Sequence, residues 1–278
     1  MLYLILAIMS SAMVSIVMRL SVGKISNKIS MLSASYVTCM LLTFVYIYPI
    51  GRMEHAEGKG VAVFLGVTAG ILMLAGFVLL QLNVQINGVV LSATFSKLGV
   101  LVPTLLAVTV FGEMMKGRQV MGFLLALAAI LLINFEKDQT NAKSKTGLLI
   151  LLAANGAADA MAKIYEELGN PALKDMYLCI TFIVASLLSA GFALMKKQKI
   201  GIHDILWGFL LGIPNYYSVR FLMKALEKIP AVILYPTYSV ATIVVISIAG
   251  IILFKEKLSR RQSVATGIIL VSLVLLNI

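Results

Sequence analysis

The sequence predicts an all-α integral membrane protein of ten transmembrane helices, arranged as two inverted five-helix repeats. Of its 278 residues, 60% are hydrophobic and 13% are charged, and the mean hydropathy is +1.00. Because a soluble domain carries about 25% charged residues, the solvent of most of this chain is lipid. The net charge of +11 lies mainly in short loops, where lysine and arginine meet lipid headgroups. No basic patch is interleaved with aromatic residues, which argues against nucleic-acid binding.

Ten segments are each long and apolar enough to cross the hydrocarbon core, which takes about 20 residues. These spans are residues 2–20, 29–50, 60–83, 88–111, 118–135, 146–168, 172–195, 203–226, 230–254 and 260–277. Short connections leave no room for a soluble domain. The first span has no basic residue before it and no clean cleavage site after it, so we expect a retained helix rather than a signal peptide.

The chain repeats itself, and the repeat defines two halves. Residues 110–134 resemble residues 253–277, which lie 143 positions later, and several of the aligned residues are identical. The matched pairs are Glu113 and Glu256, Arg118 and Arg261, Gln119 and Gln262, and Asn134 and Asn277. A looser alignment at 144 positions places Asn155 opposite Ser11, Asp159 opposite Ser15 and Lys163 opposite Arg19.

The first five-helix repeat covers residues 1–135 and the second covers residues 146–278, within a single transmembrane domain. Since five is an odd number, the second repeat enters the membrane from the side opposite to the first. Inverted repeats of this kind are the basis of alternating access, with the substrate near the midplane. Transport is therefore favoured over an inert scaffold, which duplication also allows.

Two copies of one motif resemble a known family. The run FGExxxxRQ at residues 111–119 and its copy FKExxxxRQ at residues 254–262 are similar to the drug/metabolite transporter superfamily, in its ten-helix EamA-type branch. Small residues in spans 1 and 6, closed by Arg19 and Lys163, support the resemblance, which covers the whole chain. It implies a multi-pass protein of the cell membrane with a central cavity, lined mainly by spans 1, 3, 4, 6, 8 and 9. Four-helix relatives exchange protons for cationic drugs through a glutamate in helix 1, and span 1 here has no acid.

Two ionisable residues lie near the centres of spans, Lys97 in span 4 and Asp159 in span 6. Each would cost about 2.5–3.5 kcal/mol facing lipid, so we expect both to face the bundle interior. Asp159 shares a helical face with Asn155 and Lys163. It either binds a substrate cation, takes up a proton, or forms a structural pair with Lys97 or Lys163. Lys97 either grips a carboxylate or phosphate or neutralises Asp159.

Spans 8 and 9 supply the remaining polar candidates. In span 8, hydrogen-bonding side chains follow Pro214 and either line a cavity or bond across helices. They are Asn215, Tyr216, Tyr217 and Ser218. Arg220 is either a ligand or a snorkelling residue. In span 9, Tyr235, Tyr238 and Ser239 share one face that suits a cationic or planar ligand, although Tyr235 equally fits an interfacial belt. Ser15 in span 1 is a further candidate for substrate binding or coupling, because it aligns with Asp159 in the repeat.

Other polar residues favour structural roles. Glu113 and Glu256 lie at helix ends beside basic residues, which predicts capping and loop pairing. His55 and His203 lie in different loops, so no metal site is expected. Neither a Walker A motif nor a Rossmann fingerprint is present, which argues against ATP-driven pumping and leaves no expected cofactor.

The sequence therefore predicts a secondary transporter, not an enzyme, for a small polar metabolite, with an amino acid or related amine favoured. Asp159 would hold the amino group, Lys97 or Arg220 the carboxylate, and Asn215, Tyr216 and Tyr238 would shape the pocket. The first alternative is proton-coupled efflux of lipophilic cations, and the second is a non-transporting scaffold or receptor. H⁺ or Na⁺ is the expected coupling ion. Because the halves are fused, a monomer suffices, and a homodimer is also allowed. By the positive-inside rule, the distribution of Lys and Arg in the loops places both termini outside the cell. The resemblance instead favours both termini in the cytoplasm.

Overall fold

The computed structural model describes residues 1–47, 57–87, 89–134, 144–195, 201–255 and 260–278, and these are helical with no strand. Their α-helices are α1 (Leu2–Ser21), α2 (Lys28–Ile47), α3 (Lys59–Asn87), α4 (Val89–Leu98), α5 (Leu101–Thr109), α6 (Gly117–Asn134), α7 (Lys145–Leu168), α8 (Lys174–Met195), α9 (Ile202–Leu226), α10 (Ala231–Phe254) and α11 (Arg260–Asn277). A short 3₁₀ helix, Pro171–Leu173, precedes α8.

Most of these helices fit a bilayer. Seven stretches within the described ranges are long and apolar enough to cross a membrane: Leu2–Ser21, Lys28–Tyr46, Lys59–Asn87, Ser92–Thr109, Lys145–Leu168, Pro171–Met195 and Ala231–Phe254. Two more apolar stretches, Gly117–Leu132 and Gln262–Asn277, are shorter. The chain is an all-α membrane protein, as predicted, and the number of ten spans stays a prediction.

The predicted fourth span is interrupted. It consists of α4 and α5, with a break at Gly99 and Val100. Around the break the amides bond three residues back, Gly99 to Ser96 at 3.2 Å and Val102 to Gly99 at 3.0 Å. Pro103 has no N–H to donate to the Gly99 carbonyl, so that carbonyl accepts from Val102 instead. The span therefore tightens into a turn that begins two residues after Lys97.

The described residues form two compact units. Unit 1 consists of Met1, Ala75–Lys163 and Ala225–Ile278, and unit 2 consists of Leu2–Leu74 and Ile164–Lys224. Each unit contains segments from both predicted repeats. The repeat boundaries at 1–135 and 146–278 stay a prediction.

In unit 1, α6 packs on α11, the helix that repeats it. A side chain on Gly122 would meet Leu275 and Leu276 at 3.0 Å, so the absence of one lets the two helices approach closely. The Ser272 hydroxyl donates to the Gly122 carbonyl across this contact at 2.8 Å. Both helices also contribute to a buried apolar cluster, which consists of Leu98, Ala126, Ala129, Ile130, Val240 and Ile269.

In unit 2, α2 packs on α8, and α9 lies close to α2 through two glycines. A Cβ on Gly208 would lie 2.5 Å from the Ala34 Cβ, and one on Gly212 would lie 2.6 Å from the Ser35 carbonyl oxygen. The spacing of four residues puts both glycines on one face of α9. Small residues at this spacing are typical of tight helix packing in membranes.

Asp204 ties the start of α9 to the start of α2. Its carboxylate is fully buried and accepts three backbone N–H groups. Oδ1 accepts from Ser26 at 2.7 Å and from Asn27 at 3.2 Å, and Oδ2 accepts from Gly201 at 2.9 Å. A buried carboxylate needs such partners, so Asp204 is structural.

Candidate functional site

The core of the candidate site in unit 1 is the junction of α4 and α7. Asn155 of α7 donates through Nδ2 to the Ser96 hydroxyl of α4 at 2.9 Å. One residue along, Gly156 faces Gly99, and a Cβ on Gly156 would lie 2.5 Å from the Gly99 carbonyl oxygen. The two backbones can approach this closely because neither glycine has a side chain. This contact fixes α7 against the break after Lys97.

Lys97 and Asp159 flank this junction. Lys97 follows Ser96 in α4, and Asp159 lies one turn after Asn155 in α7. The two charged groups act on one another electrostatically. No ion pair within 4.0 Å joins these two described residues, whereas Lys163 pairs with Glu113 and Arg220 pairs with Asp175. Both side chains are exposed, although protein surrounds each charged group.

The α10 tyrosines differ in environment. Tyr235 is buried, with 2% of its surface exposed, and its hydroxyl donates to the backbone carbonyl of Asp159 at 2.9 Å. It therefore supports α7 from within the protein rather than forming part of an interfacial belt. Tyr238 is half-buried, and its role in binding stays a prediction.

Lys163, one turn beyond Asp159, is buried and forms a 2.9 Å ion pair with Glu113. The second carboxylate oxygen of Glu113 accepts the backbone N–H of Val232 at 2.9 Å, in the first turn of α10. Burial raises the pKa of Glu113, but the hydrogen bonds from Val232 and Lys163 outweigh it, so its pKa lies below the ordinary value of 4.5. The predicted capping role of Glu113 is confirmed, although the helix it caps is α10 and its cation is on α7.

Two residues singled out in the sequence, Glu256 and His55, lie outside the described residues. His203 is exposed near the start of α9. In unit 2, Ser15 is half-buried in α1. Asn215 donates to the Ser35 hydroxyl of α2 at 3.4 Å, which is the interhelical contact that the sequence left as its alternative.

Arg220 and Tyr216 are in direct contact in unit 2. Arg220 forms an ion pair with Asp175 of α8 and donates to the Tyr216 hydroxyl at 2.5 Å. Tyr216 is fully buried, and the guanidinium carbon of Arg220 lies 3.8 Å from the centroid of the Tyr46 ring. Binding roles for Asn215, Tyr216 and Arg220 stay predictions.

The sequence did not reveal several of these partners. Asp175 carries no mid-span signal because it lies in the first turn of α8, where acids are common for helix-dipole reasons. Gly76 was not singled out either, although a Cβ there would overlap Asn155 Oδ1. The sequence signal that could have revealed this contact is a glycine in the middle of a long apolar helix.

Comparison with known proteins agrees with this architecture. Residues 146–278 match the EamA-like transporter family, which is consistent with the drug/metabolite transporter superfamily. An uncharacterized protein of Haemophilus influenzae is 22% identical over 268 residues, covering 92% of this chain and 91% of that protein. A solved crystal structure superposes with a TM-score of 0.74 at 14% identity, covering 99% of this chain and 94% of the other, which shows a shared fold.

Residues 146–278, just under half of the chain, are thus similar to a family of membrane transporters.

Proposed function

We propose that this protein is a secondary active transporter that moves a small polar metabolite, an amino acid or related amine, by alternating access. The observation that carries the proposal is the arrangement of Lys97 and Asp159. They are opposite charges on adjoining helices, they interact electrostatically, and they do not meet in an ion pair within 4.0 Å. Two such groups can each bind one end of a zwitterion, whereas a closed ion pair would leave neither free.

The accessibility of both side chains supports an internal binding space. A charged group that faced lipid would be costly, yet both are exposed while protein surrounds them. We infer a solvent-accessible space beside α4 and α7. In it, Asp159 binds the amino group, Lys97 binds the carboxylate, and Tyr238 borders the ligand.

Two features support alternating access. The fifth spans of the two repeats, α6 and α11, pack on one another, and so do the second spans, α2 and α8. Contact between equivalent helices is what a two-fold axis between inverted repeats produces. The helical hydrogen bonds at Gly99 and Val100, close to Lys97, are rearranged, and interruptions of this kind are places where a helix can bend.

The remaining details follow from this mechanism. No nucleotide-binding motif is evident in the sequence, so an ion gradient of H⁺ or Na⁺ across the cell membrane drives transport. Both repeats are in one chain, so a monomer contains a complete pathway. A homodimer would pair two such pathways.

The second candidate function is proton-coupled efflux of lipophilic cations. It is favoured by the exposed Asp159 carboxylate, which has no cation within 4.0 Å in the described part of the chain and is free to exchange a proton for a cation. This mechanism needs Asp159 and not Lys97. A scaffold or receptor without transport would instead keep the two residues in a permanent ion pair.

The test is thermal stabilisation of the purified protein by a ligand panel at two pH values. The panel contains amino acids, polyamines, quaternary amines, nucleosides and sugar phosphates, and the variants are Asp159→Asn and Lys97→Met. Under the proposal, amino acids stabilise the wild type and neither variant. Under the efflux alternative, quaternary amines stabilise the wild type and Lys97→Met but not Asp159→Asn. Equal ligand stabilisation of all three proteins would contradict both.

A further inference from the structure

The guanidinium of Arg220 in unit 2 is only partly paired. Arginine has five N–H donors, and the residues that the structure describes accept three of them. Nη1 donates to Asp175 Oδ1 and to the Tyr216 hydroxyl, and Nη2 donates to Asp175 Oδ2 at 3.5 Å. Nε and the second hydrogen of Nη2 have no acceptor within the described ranges. The side chain is only 11% exposed, so these open donors lie in a largely desolvated place.

Aromatic rings enclose this guanidinium. Tyr46 stacks on it at 3.8 Å, and the Tyr216 ring centroid lies 5.7 Å away. The cluster continues from Tyr216 to Tyr217 at 5.3 Å and to Phe221 at a further 5.4 Å. Tyr46 is 39% exposed, and its hydroxyl lies 3.2 Å from that of Tyr217. An accessible ring therefore lies beside open N–H donors.

The charge balance of the cluster favours an anion. Lys224 lies over the Tyr3 ring at 5.2 Å, and Tyr3 stacks on Phe221. Two cations, Arg220 and Lys224, thus adjoin the rings, while Asp175 is the acid paired with Arg220. Asp175 is 31% exposed, more than its partner, and the 3.5 Å contact of Oδ2 is the weakest of the three.

We propose that Arg220, Tyr46 and Tyr217 form a binding site for an aromatic carboxylate, with Asp175 as an internal counter-ion that the ligand competes with. The planar fork of arginine matches a carboxylate bidentately, and the open donors of Arg220 provide the contact. The exposed Tyr46 ring stacks on the aromatic part of the ligand. The site uses residues of unit 2 alone and does not depend on transport through Lys97 and Asp159.

The test is binding of benzoate to the purified full-length protein in detergent, measured by calorimetry. Arg220→Lys keeps the charge and loses the fork, so benzoate binding weakens at least about tenfold. Asp175→Asn removes the competing charge, so benzoate binds several-fold tighter. Lys24→Met is the control, because Lys24 lies over the Trp207 ring at 5.0 Å elsewhere in the unit and its loss leaves the dissociation constant within twofold.

A further pair of measurements keeps the test decisive if Arg220→Lys fails to fold. Tyr46→Leu removes the stacking ring, so it weakens benzoate binding more than binding of cyclohexanecarboxylate, which lacks an aromatic face. No binding of benzoate to the wild type, equal binding by Arg220→Lys, or weaker binding by Asp175→Asn each overturns the proposal. None of these results depends on whether Asp159 variants transport, so the two proposals fail separately.

Discussion

The Oδ1 atom of Asn155 lies where a side chain on Gly76 would begin. The same amide donates through Nδ2 to Ser96 at 2.9 Å, so one side chain joins α3, α4 and α7. Asp159 follows it by one helical turn, and Lys97 follows Ser96 directly. The position of both charged residues therefore depends on a joint that a single methyl group would disturb.

Gly76→Ala is expected to destabilise the protein by about 1–3 kcal/mol, because the new methyl displaces the Asn155 amide from Ser96. In an Asn155→Ala background the same change should be nearly neutral, since the overlap is gone. A double-mutant cycle of thermal unfolding in detergent measures this coupling.

The matched control is Gly60→Ala, in the first turn of the same helix, where a Cβ would meet nothing within 4 Å. There the replacement should leave stability unchanged or raise it by about 0.5–1 kcal/mol, as glycine is a poor helix former. Additive effects of Gly76→Ala and Asn155→Ala would show that the joint does not exist.

Glu113 should give the protein a pH-dependent contribution to stability. Its pKa is lower in the folded protein than its ordinary value of 4.5. The contribution is therefore fully present above about pH 4.5 and is lost as the pH falls through the folded pKa. We expect Glu113→Gln to unfold more easily than the wild type by about 1–2 kcal/mol near neutral pH, and the difference to shrink at acidic pH.

Unfolding temperatures of both proteins across this pH range test the prediction. The control is Glu57→Gln, which changes an exposed glutamate and should track the wild type throughout. A gap between Glu113→Gln and the wild type that stays constant with pH, or widens in acid, would contradict the role of the ionised carboxylate.

Asp204 should contribute to the stability of the protein through unit 2, although it has no part in the proposed site. Asp204→Asn replaces one acceptor oxygen by a donor that faces backbone N–H groups. We expect a loss of about 1.5–3 kcal/mol, the usual contribution of hydrogen bonds to a charged group. Thermal unfolding measures it, with the exposed neighbour His203→Ala as a control of little effect. Unchanged stability of Asp204→Asn would show that the Ser26, Asn27 and Gly201 amides find other acceptors.

The helical, membrane-embedded class followed from the sequence because hydropathy and span length are set by the bilayer. The interruption near Pro103 was also foreseeable, since proline removes a known hydrogen bond. The exact turn at Gly99 was not, because it also depends on the approach of Gly156 from α7. That contact joins residues far apart in the chain.

The candidate site was predictable residue by residue but not in its pairings. Lys97 and Asp159 were singled out as candidates because charges are rare within spans. The partner of Lys163 was not, because Glu113 lies in a loop among nearer basic residues. The ion pair between Arg220 and Asp175 was not predicted for a similar reason. An acid in the first turn of a helix is already explained by the helix dipole, and only the fold brings Asp175 of α8 to Arg220 of α9.

The most direct test of the central claim is the exchange of the two charges in unit 1. The variants are Lys97→Asp, Asp159→Lys and the double exchange, each measured for unfolding temperature and for stabilisation by the amino acids of the panel. The account predicts that each single change destabilises the protein, that the double exchange recovers most of the stability, and that no amino acid stabilises it further. Recovery of ligand stabilisation in the double exchange would contradict the account, because the pair would then act as a structural counter-ion pair and not as the substrate site.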